Sequence, residues 1–224
     1  ALHNVVFKGN VGVARLLCNH KKIDVNIKDG HGATALHKVA RQWNADIAEL
    51  LCEHENIDVN IKGPCEMTAL HRAVHEDNVD FVKLLCDHEQ IDVNVIGEYE
   101  ETALMKAARR NNIDVVRQLL THAQININIR RHGKETALMI AAGNSHVEVV
   151  ETILNQPSVE CSFTDAIACL MVYDYDTSIL LLMHWIKSPL RWVAQKKEDA
   201  VLLVKPGFEY IWACLLYTSP SPRD

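Results

Sequence analysis

The sequence predicts an all-α fold, a linear array of stacked helix pairs, and three observations lead to this prediction. The triplet Thr-Ala-Leu recurs every 34 residues, starting at residues 34, 68, 102 and 136. A second block, Ile-Asp-Val-Asn or a close variant, recurs in the same register from residues 23, 57, 91 and 125. The chain has 224 residues, of which 48% are hydrophobic and 23% charged, so it can bury a core. Two blocks in one register indicate a repeat architecture, in which each unit packs on its neighbours.

The first helix of each unit is predicted to begin directly after a threonine. A threonine hydroxyl at the N-cap satisfies one of the backbone N–H groups that the first helical turn leaves unpaired. Small residues follow in the same helix and allow a neighbouring helix to approach closely: Ala40, Ala73, Ala107 and Ala141. We expect this helix to be broken by an asparagine, at Asn44, Asn78 and Asn112.

The second helix of each unit is predicted to begin near an aspartate, because acidic side chains are favourable at a helix N-terminus. The three aspartates are Asp46, Asp80 and Asp114. Leucine pairs then supply the apolar face, and the Asp-Val-Asn block closes the unit through local side-chain hydrogen bonds. The chain should continue as an extended loop to the next threonine.

This order of features resembles the ankyrin repeat, in which Thr-x-Leu-His opens a helix pair, Leu-Leu follows, and Asp-Val-Asn leads into a loop. Tetratricopeptide repeats share the 34-residue period but lack both the opening and the loop motif. We identify residues 1–160 as an ankyrin array of about five units, with approximate bounds 1–28, 29–62, 63–96, 97–130 and 131–160. The resemblance implies an all-α ankyrin-repeat solenoid with connecting hairpin loops.

The rest of the chain departs from the repeat register, because Leu170 stands where the next threonine is due. Residues 161–213 are irregular, and residues 188–204 resemble one shortened, out-of-phase unit. Residues 214–224 resemble the translation of a sequencing-library adapter, so we expect this tail to be non-native. The chain opens in mid-motif at Ala1, so we expect native sequence before it.

A repeated Cys-x-His motif raises the question of a metal site, and the repeat geometry argues against one. Side chains two residues apart on a helix point about 200° apart, and equivalent positions in successive units lie about 10 Å apart, too far to share one zinc ion. The cysteine position is leucine in the last two units, so we predict free thiols that pack in the core. The motif comprises Cys18, Cys52 and Cys86 with His20, His54 and His88, and the replacements are Leu120 and Leu154.

A second histidine series, His3, His37 and His71, lies in the helix opening, and Met105 and Met139 occupy its position in later units. Capping and packing therefore explain these histidines better than acid–base chemistry does. The sequence contains no carboxylate pair or nucleophile motif typical of catalysis. We predict a non-enzymatic protein without a cofactor or metal.

The charge of the chain bears on its partner. A net charge of −6 provides no basic field for a phosphate backbone, so nucleic acid is not expected. The apolar stretch 179–186 is far shorter than the ~20 residues of a membrane-spanning helix. We expect a monomeric cytoplasmic protein with reduced thiols that binds another protein.

Positions that vary between units are candidates for partner contact, because a binding array keeps its scaffold and changes its surface. Two sets vary, the loop tips and the ends of the first helices, and the resemblance to ankyrin repeats implies that both line a concave ligand surface. The candidate partner-binding residues are Phe7, Lys8, His31, Arg41, Gln42, Met67, His75, Glu76, Glu98, Tyr99, Glu101, Arg109, Arg110 and His132.

The predicted function is that of an interaction scaffold or adaptor. Within the candidate surface we favour Tyr99, Arg109 and Arg110, because a cationic helix end next to an acidic loop would select a partner of matching polarity. Two alternatives remain open. The array could be the recognition segment of a longer enzyme or channel, such as a kinase, ubiquitin ligase or cation channel, or it could be a secreted, toxin-like array.

Overall fold

The computed structural model describes residues 2–132 and 135–160, and this part of the chain forms five helix pairs. The predicted degenerate unit at 188–204 and the predicted tail at 214–224 lie outside the described residues. The all-α prediction is confirmed. The helices are α1 Leu2–Lys8 and α2 Val11–Cys18, α3 Ala35–Arg41 and α4 Ala45–Cys52, α5 Ala69–His75 and α6 Val79–Cys86, α7 Ala103–Arg109 and α8 Ile113–Leu120, and α9 Ala137–Gly143 and α10 Val147–Leu154.

The helices form two layers along the array. The first helices of successive units pack on one another, from α1 to α9, and the second helices do the same, from α2 to α10. One apolar core runs between the layers from Leu2 to Leu154. The alanines predicted to allow close helix packing, Ala40, Ala73, Ala107 and Ala141, are buried as expected.

The first helices of the second to fifth units each begin after the predicted threonine. The Thr68 hydroxyl accepts a hydrogen bond from the backbone N–H of His71 at 3.4 Å, and Thr102 caps Met105 in the same way at 3.3 Å. The imidazole of His71 adds a second bond, because its Nδ1 accepts from the backbone N–H of Thr68 at 3.3 Å. This reciprocal pair forms a capping box with histidine in the acceptor position.

The asparagines expected to break the first helix have a different role from the one predicted. The first helices already end at residues 41, 75 and 109, and the asparagines are N-caps of the second helices. The Oδ1 atoms of Asn44, Asn78 and Asn112 accept hydrogen bonds from backbone N–H groups at 3.0–3.1 Å. An asparagine carbonyl satisfies an unpaired N–H group at a helix start, and this explains its recurrence.

The last asparagine of the Asp-Val-Asn block links consecutive units. Asn60 donates from Nδ2 to the carbonyl of Gln90 at 2.7 Å, and its Oδ1 accepts from the backbone N–H of Asp92 at 2.8 Å. The same pair of bonds recurs at Asn26, Asn94 and Asn128. The predicted local bonds are also present, since Asp58 accepts from the Asn60 N–H. The block therefore joins units as well as closing them.

The loops between units are tight hairpins. Gly97 donates its N–H to the carbonyl of Glu101 at 2.9 Å, and Tyr99 and Glu100 at the tip both have positive φ, near 57°. The preceding loop repeats this conformation at Cys65 and Glu66. Two successive positive φ values are typical of the type I′ turn that closes a hairpin. The tip side chains consequently stand out from the array.

Candidate partner-binding surface

Five of the predicted binding residues line one groove of about 450 Å³ in the first three units. Its lining comes from the first helices α1, α3 and α5 and from the hairpin loops 29–33 and 63–67. We call it the N-terminal groove. The five predicted residues in its lining are Phe7, His31, Arg41, Gln42 and Met67.

Phe7 is the main apolar contribution to the N-terminal groove. It lies in the last turn of α1 and is 67% exposed, whereas its neighbour Val6 is buried in the core. Arg41 is the equivalent residue of the next unit, 34 positions later, at the end of α3. The ends of the first helices therefore place an aromatic ring and a guanidinium side by side along one surface.

Two of the three cationic side chains that line the N-terminal groove are paired within the protein. Lys38 Nζ lies 2.6 Å from Asp29 Oδ2, and this hydrogen bond holds the pKa of Asp29 well below its ordinary value. Arg72 pairs with Glu76 at 3.1 Å. Among the described residues, the side chain of Arg41 has no hydrogen-bond or ion-pair partner. The groove therefore presents one unpaired guanidinium.

Asp29 also fixes the hairpin that forms the groove wall. Its Oδ1 accepts from the backbone N–H groups of His31 at 2.9 Å and Ala33 at 3.0 Å. Asp29 and Lys38 also line the groove, and both were absent from the residues predicted to bind. The sequence offered one indication that they belong to the site, because each lies within four residues of a residue that was predicted to bind.

Glu101 was predicted to face solvent, and the structure corrects this. Its side chain is buried, and it accepts hydrogen bonds from Arg109 Nε and Arg131 Nη1, each at 2.9 Å. Met67, the equivalent residue one unit earlier, is also buried. Both residues directly precede the capping threonine, where the hairpin returns to the helix layers. The carbonyl of each accepts a hydrogen bond from the histidine of the preceding unit.

The two arginines favoured by the sequence are both engaged in ion pairs. Arg109 pairs with Glu101, while Arg110 donates from Nε and Nη2 to the carboxylate of Asp77 at 3.2 and 3.1 Å. Arg110 lowers the pKa of Asp77 through these bonds. The guanidiniums of the predicted cationic helix end therefore bind carboxylates of the protein itself.

The acidic loop tip remains on the surface. Tyr99 is 68% exposed, and the nearby charge of Glu98 raises the pKa of its phenol. His132, at the tip of the next hairpin, donates its backbone N–H to Glu100 at 2.9 Å. The other predicted residues are also on the surface. In the third unit, His75 Nδ1 and Glu76 Oε1 lie 3.7 Å apart. Lys8 is exposed at the end of α1.

A smaller cavity of about 180 Å³ lies near the fifth unit and is bordered by Arg109, Arg131 and Glu135. Arg109 is the only predicted binding residue in its lining. Because Glu101 already binds both arginines, this cavity offers less unpaired charge than the N-terminal groove.

The Cys-x-His series has a structural role in the described residues. Burial raises the pKa of Cys52 to about 12 and that of Cys86 to about 11, and both thiols are free. The histidines two positions later close a turn, since His54 Nδ1 accepts from the backbone N–H of Asn56 at 3.2 Å. Across the described ranges, no group of three or more His, Cys, Asp or Glu side chains is arranged to hold a metal ion.

Comparison with known proteins agrees with this architecture. The family profile of ankyrin repeats matches three times, at residues 1–63, 56–131 and 91–166. The structure resembles that of the ankyrin repeat domain of Bcl-3, a member of the IkappaB protein family, with a TM-score of 0.72 and 24% identity, over 81% of each chain. No curated protein sequence matches this chain. None of the described helices is long and apolar enough to cross a membrane.

Proposed function

This chain belongs to the ankyrin repeat family, whose arrays are protein-interaction modules, and on that premise we propose that it is a scaffold or adaptor that binds a protein partner in its N-terminal groove. The groove is lined by residues of the first helices and the hairpins, the two sets that line the concave ligand surface in the ankyrin repeats that this chain resembles. We infer that the module works as a cytoplasmic monomer, without catalysis or a cofactor.

The observation that carries this proposal is the combination of exposure and unpaired charge in one groove. Phe7 and Arg41 belong to the aromatic and arginine types that dominate binding energy in protein interfaces. Arg109 and Arg110, by contrast, would have to give up intramolecular carboxylates before they could bind a partner. Binding in the N-terminal groove leaves those ion pairs of the scaffold intact.

Site-specific photo-cross-linking tests the proposal. A photoreactive phenylalanine analogue is introduced at Phe7, in the groove, or at Leu16, which is 73% exposed on α2 and lies outside the groove lining. Both positions are exposed and apolar, so they differ mainly in location. The two proteins are irradiated in cell extract, and cross-linked partners are identified by mass spectrometry.

We expect a defined partner to cross-link from position 7 and not from position 16. Adding excess unlabelled protein should suppress this adduct, whereas an equal excess of Arg41→Glu protein should not. A partner that cross-links from position 16 alone would contradict binding in the groove and would point to the layer of second helices.

A further inference from the structure

We propose that the N-terminal groove recognises an acidic peptide segment, whose carboxylate binds Arg41 as the Glu101 carboxylate binds Arg109. This inference rests on the proposed function and adds the chemistry of the partner. It comes from a comparison of two units of the same array, one of which carries an internal carboxylate that the other lacks.

Arg41 and Arg109 occupy equivalent positions. Each is the last residue of a first helix, and the two are separated by two repeats of 34 residues. The residue before the capping threonine is Glu101 in the later unit and Ala33 in the earlier one. The later unit thus supplies a carboxylate to its own arginine, and the earlier unit does not.

The fourth unit shows what this arginine position binds. Glu101 accepts from Arg109 Nε at 2.9 Å and is buried. In the second unit, Ala33 and Arg41 line the same groove, and Ala33 brings no polar side chain to it. In the fourth unit, Arg109 Nε and Nη2 both donate to Oε1 of Glu101. A guanidinium forms strong charge-assisted hydrogen bonds with a carboxylate, so a carboxylate from a partner is the chemical complement of this position.

The acidic residue in the groove lining does not fill this role. Asp29 also lines the groove, but its carboxylate already binds Lys38 at 2.6 Å and two backbone N–H groups of its hairpin. Because Lys38 is paired with Asp29 and Arg72 with Glu76, the uncompensated charge in the groove lining is the positive charge of Arg41. This local charge favours an acidic ligand, although the whole chain carries a net charge of −6.

The apolar lining defines a second feature of the ligand. Phe7, Pro64 and Met67 border the groove beside the three cations. A segment that fits both chemistries has an aspartate or glutamate close to an aliphatic or aromatic residue. The carboxylate would select the guanidinium, and the apolar side chain would cover the exposed ring of Phe7.

A display library of random 12-residue peptides tests the inference on the full chain. Selected peptides should be enriched in acidic residues close to a large apolar residue. Fluorescence anisotropy then measures the affinity of a selected peptide and of its copy with asparagine or glutamine at the acidic positions. We expect the neutral copy to bind at least tenfold more weakly.

Two variants at one position provide the matched control. Ala33→Glu gives the second unit the carboxylate that Glu101 gives the fourth, so it should pair with Arg41 and weaken peptide binding at least tenfold. Ala33→Gln has nearly the same volume without the charge and should retain binding within about threefold. Arg41→Gln should weaken the binding of the acidic peptide at least tenfold and leave the affinity for its neutral copy unchanged. The thermal midpoint of each variant confirms folding.

The outcomes separate this inference from the proposed function. One outcome is that the selected peptides are not enriched in acidic residues but bind the Phe7→Ala protein more weakly than the parent. This result would support the groove as the binding site and overturn the inference that its ligand is acidic. Peptides that bind all groove variants equally would overturn both. A library that yields no peptide above background would also overturn the inference of a peptide-binding groove.

Discussion

At the residue scale, His71 shows how one side chain joins two units. Its Nδ1 accepts from Thr68, and its Nε2 donates to the carbonyl of Glu101 at 3.1 Å. The ring also lies so close to Gly97 that a Cβ atom there would be 2.9 Å from Nε2. This arrangement needs a neutral imidazole protonated on Nε2, and burial lowers the pKa of His71 to about 4.

The first prediction is that stability decreases with acidification. An unfolded histidine has a pKa of about 6.5, so between about pH 6.5 and 4 the unfolded chain takes up a proton that folded His71 does not. His71 alone should account for a loss of about 3 kcal/mol across this interval. His37 contributes in the same direction, because burial also lowers its pKa.

Urea unfolding at several pH values measures this slope. His71→Met copies the residue at Met105 and should unfold with a shallower pH dependence between pH 6.5 and 4. An identical slope in the variant would show that His71 is not the buried titrating group.

A second prediction concerns two equivalent arginines. Arg109→Gln should lower the free energy of unfolding by about 2 to 4 kcal/mol, because it weakens the pairing of the buried Glu101 carboxylate. Arg131 still contacts Glu101, which limits the loss. Arg41→Gln should cost less than about 1 kcal/mol, since Arg41 has no partner among the described residues. Equal losses in urea unfolding would contradict this assignment of partners.

The roles of some of these residues could be predicted from the sequence, whereas the roles of others depend on how the units pack. The alternation of His71 with Met105 in one repeat position indicated packing, and this interpretation is confirmed. The ion pair between Arg110 and Asp77 joins residues 33 positions apart and depends on how adjacent units are rotated. A repeat pattern does not specify that rotation, so the burial of Glu101 and the pairing of Arg110 were not predicted.

At the scale of the elements, the asparagines after the second helices of the first four units form a ladder along the array. Each one donates to a carbonyl and accepts from an N–H of the following unit, as Asn60 does with Gln90 and Asp92. The repeat of Asp-Val-Asn in the sequence predicted a turn, and the structure adds an interface. A local sequence pattern is sufficient to predict a turn. To predict a contact between units, one must also know the distance at which the units stack.

The third prediction is that the ladder stabilises the interfaces between units. Asn60→Ala removes two hydrogen bonds and should lower the free energy of unfolding by about 1 to 2 kcal/mol. Asn19→Ala serves as the control, because Asn19 is exposed and its side chain makes no hydrogen bond with the described residues. Similar decreases in the free energy of unfolding for the two variants would show that the ladder does not stabilise the array.

The fourth prediction is that the helix-end thiols act only as packing groups. Cys52→Leu copies Leu120 at the equivalent position and should fold with a thermal midpoint within about 4 °C of the parent. Cys52 lies against the core and its thiol is free. Loss of a bound metal in the variant, measured by elemental analysis, would contradict a packing role.

At the scale of the whole molecule, stability should be highest in the middle of the array. Repeat units contact only their neighbours, so a central unit has two interfaces, whereas α1 and α2 contact the described helices of one following unit. Hydrogen exchange should therefore be slowest in α5 to α8 and faster in α1 and α2. Uniform protection from α1 to α8 would indicate a more cooperative array than nearest-neighbour packing predicts.

The whole array also explains why the fold could be predicted more fully than the site. A 34-residue period with two motifs in phase specifies helix pairs, their order and their stacking. The binding surface depends on which variable residues remain free after the units pack. Phe7 and Arg41 remain free in the described structure, whereas Arg109 and Arg110 do not.

The most direct test of this account compares two double variants in their affinity for the cross-linked partner, measured with purified proteins. Phe7→Ala with Arg41→Gln alters the N-terminal groove, and Tyr99→Ala with Arg110→Gln alters the middle of the array. We expect the first variant to bind at least tenfold more weakly, a loss of about 1.4 kcal/mol, and the second to bind within about threefold of the parent. Unchanged affinity in the groove variant, together with a large loss in the middle variant, would contradict binding in the N-terminal groove.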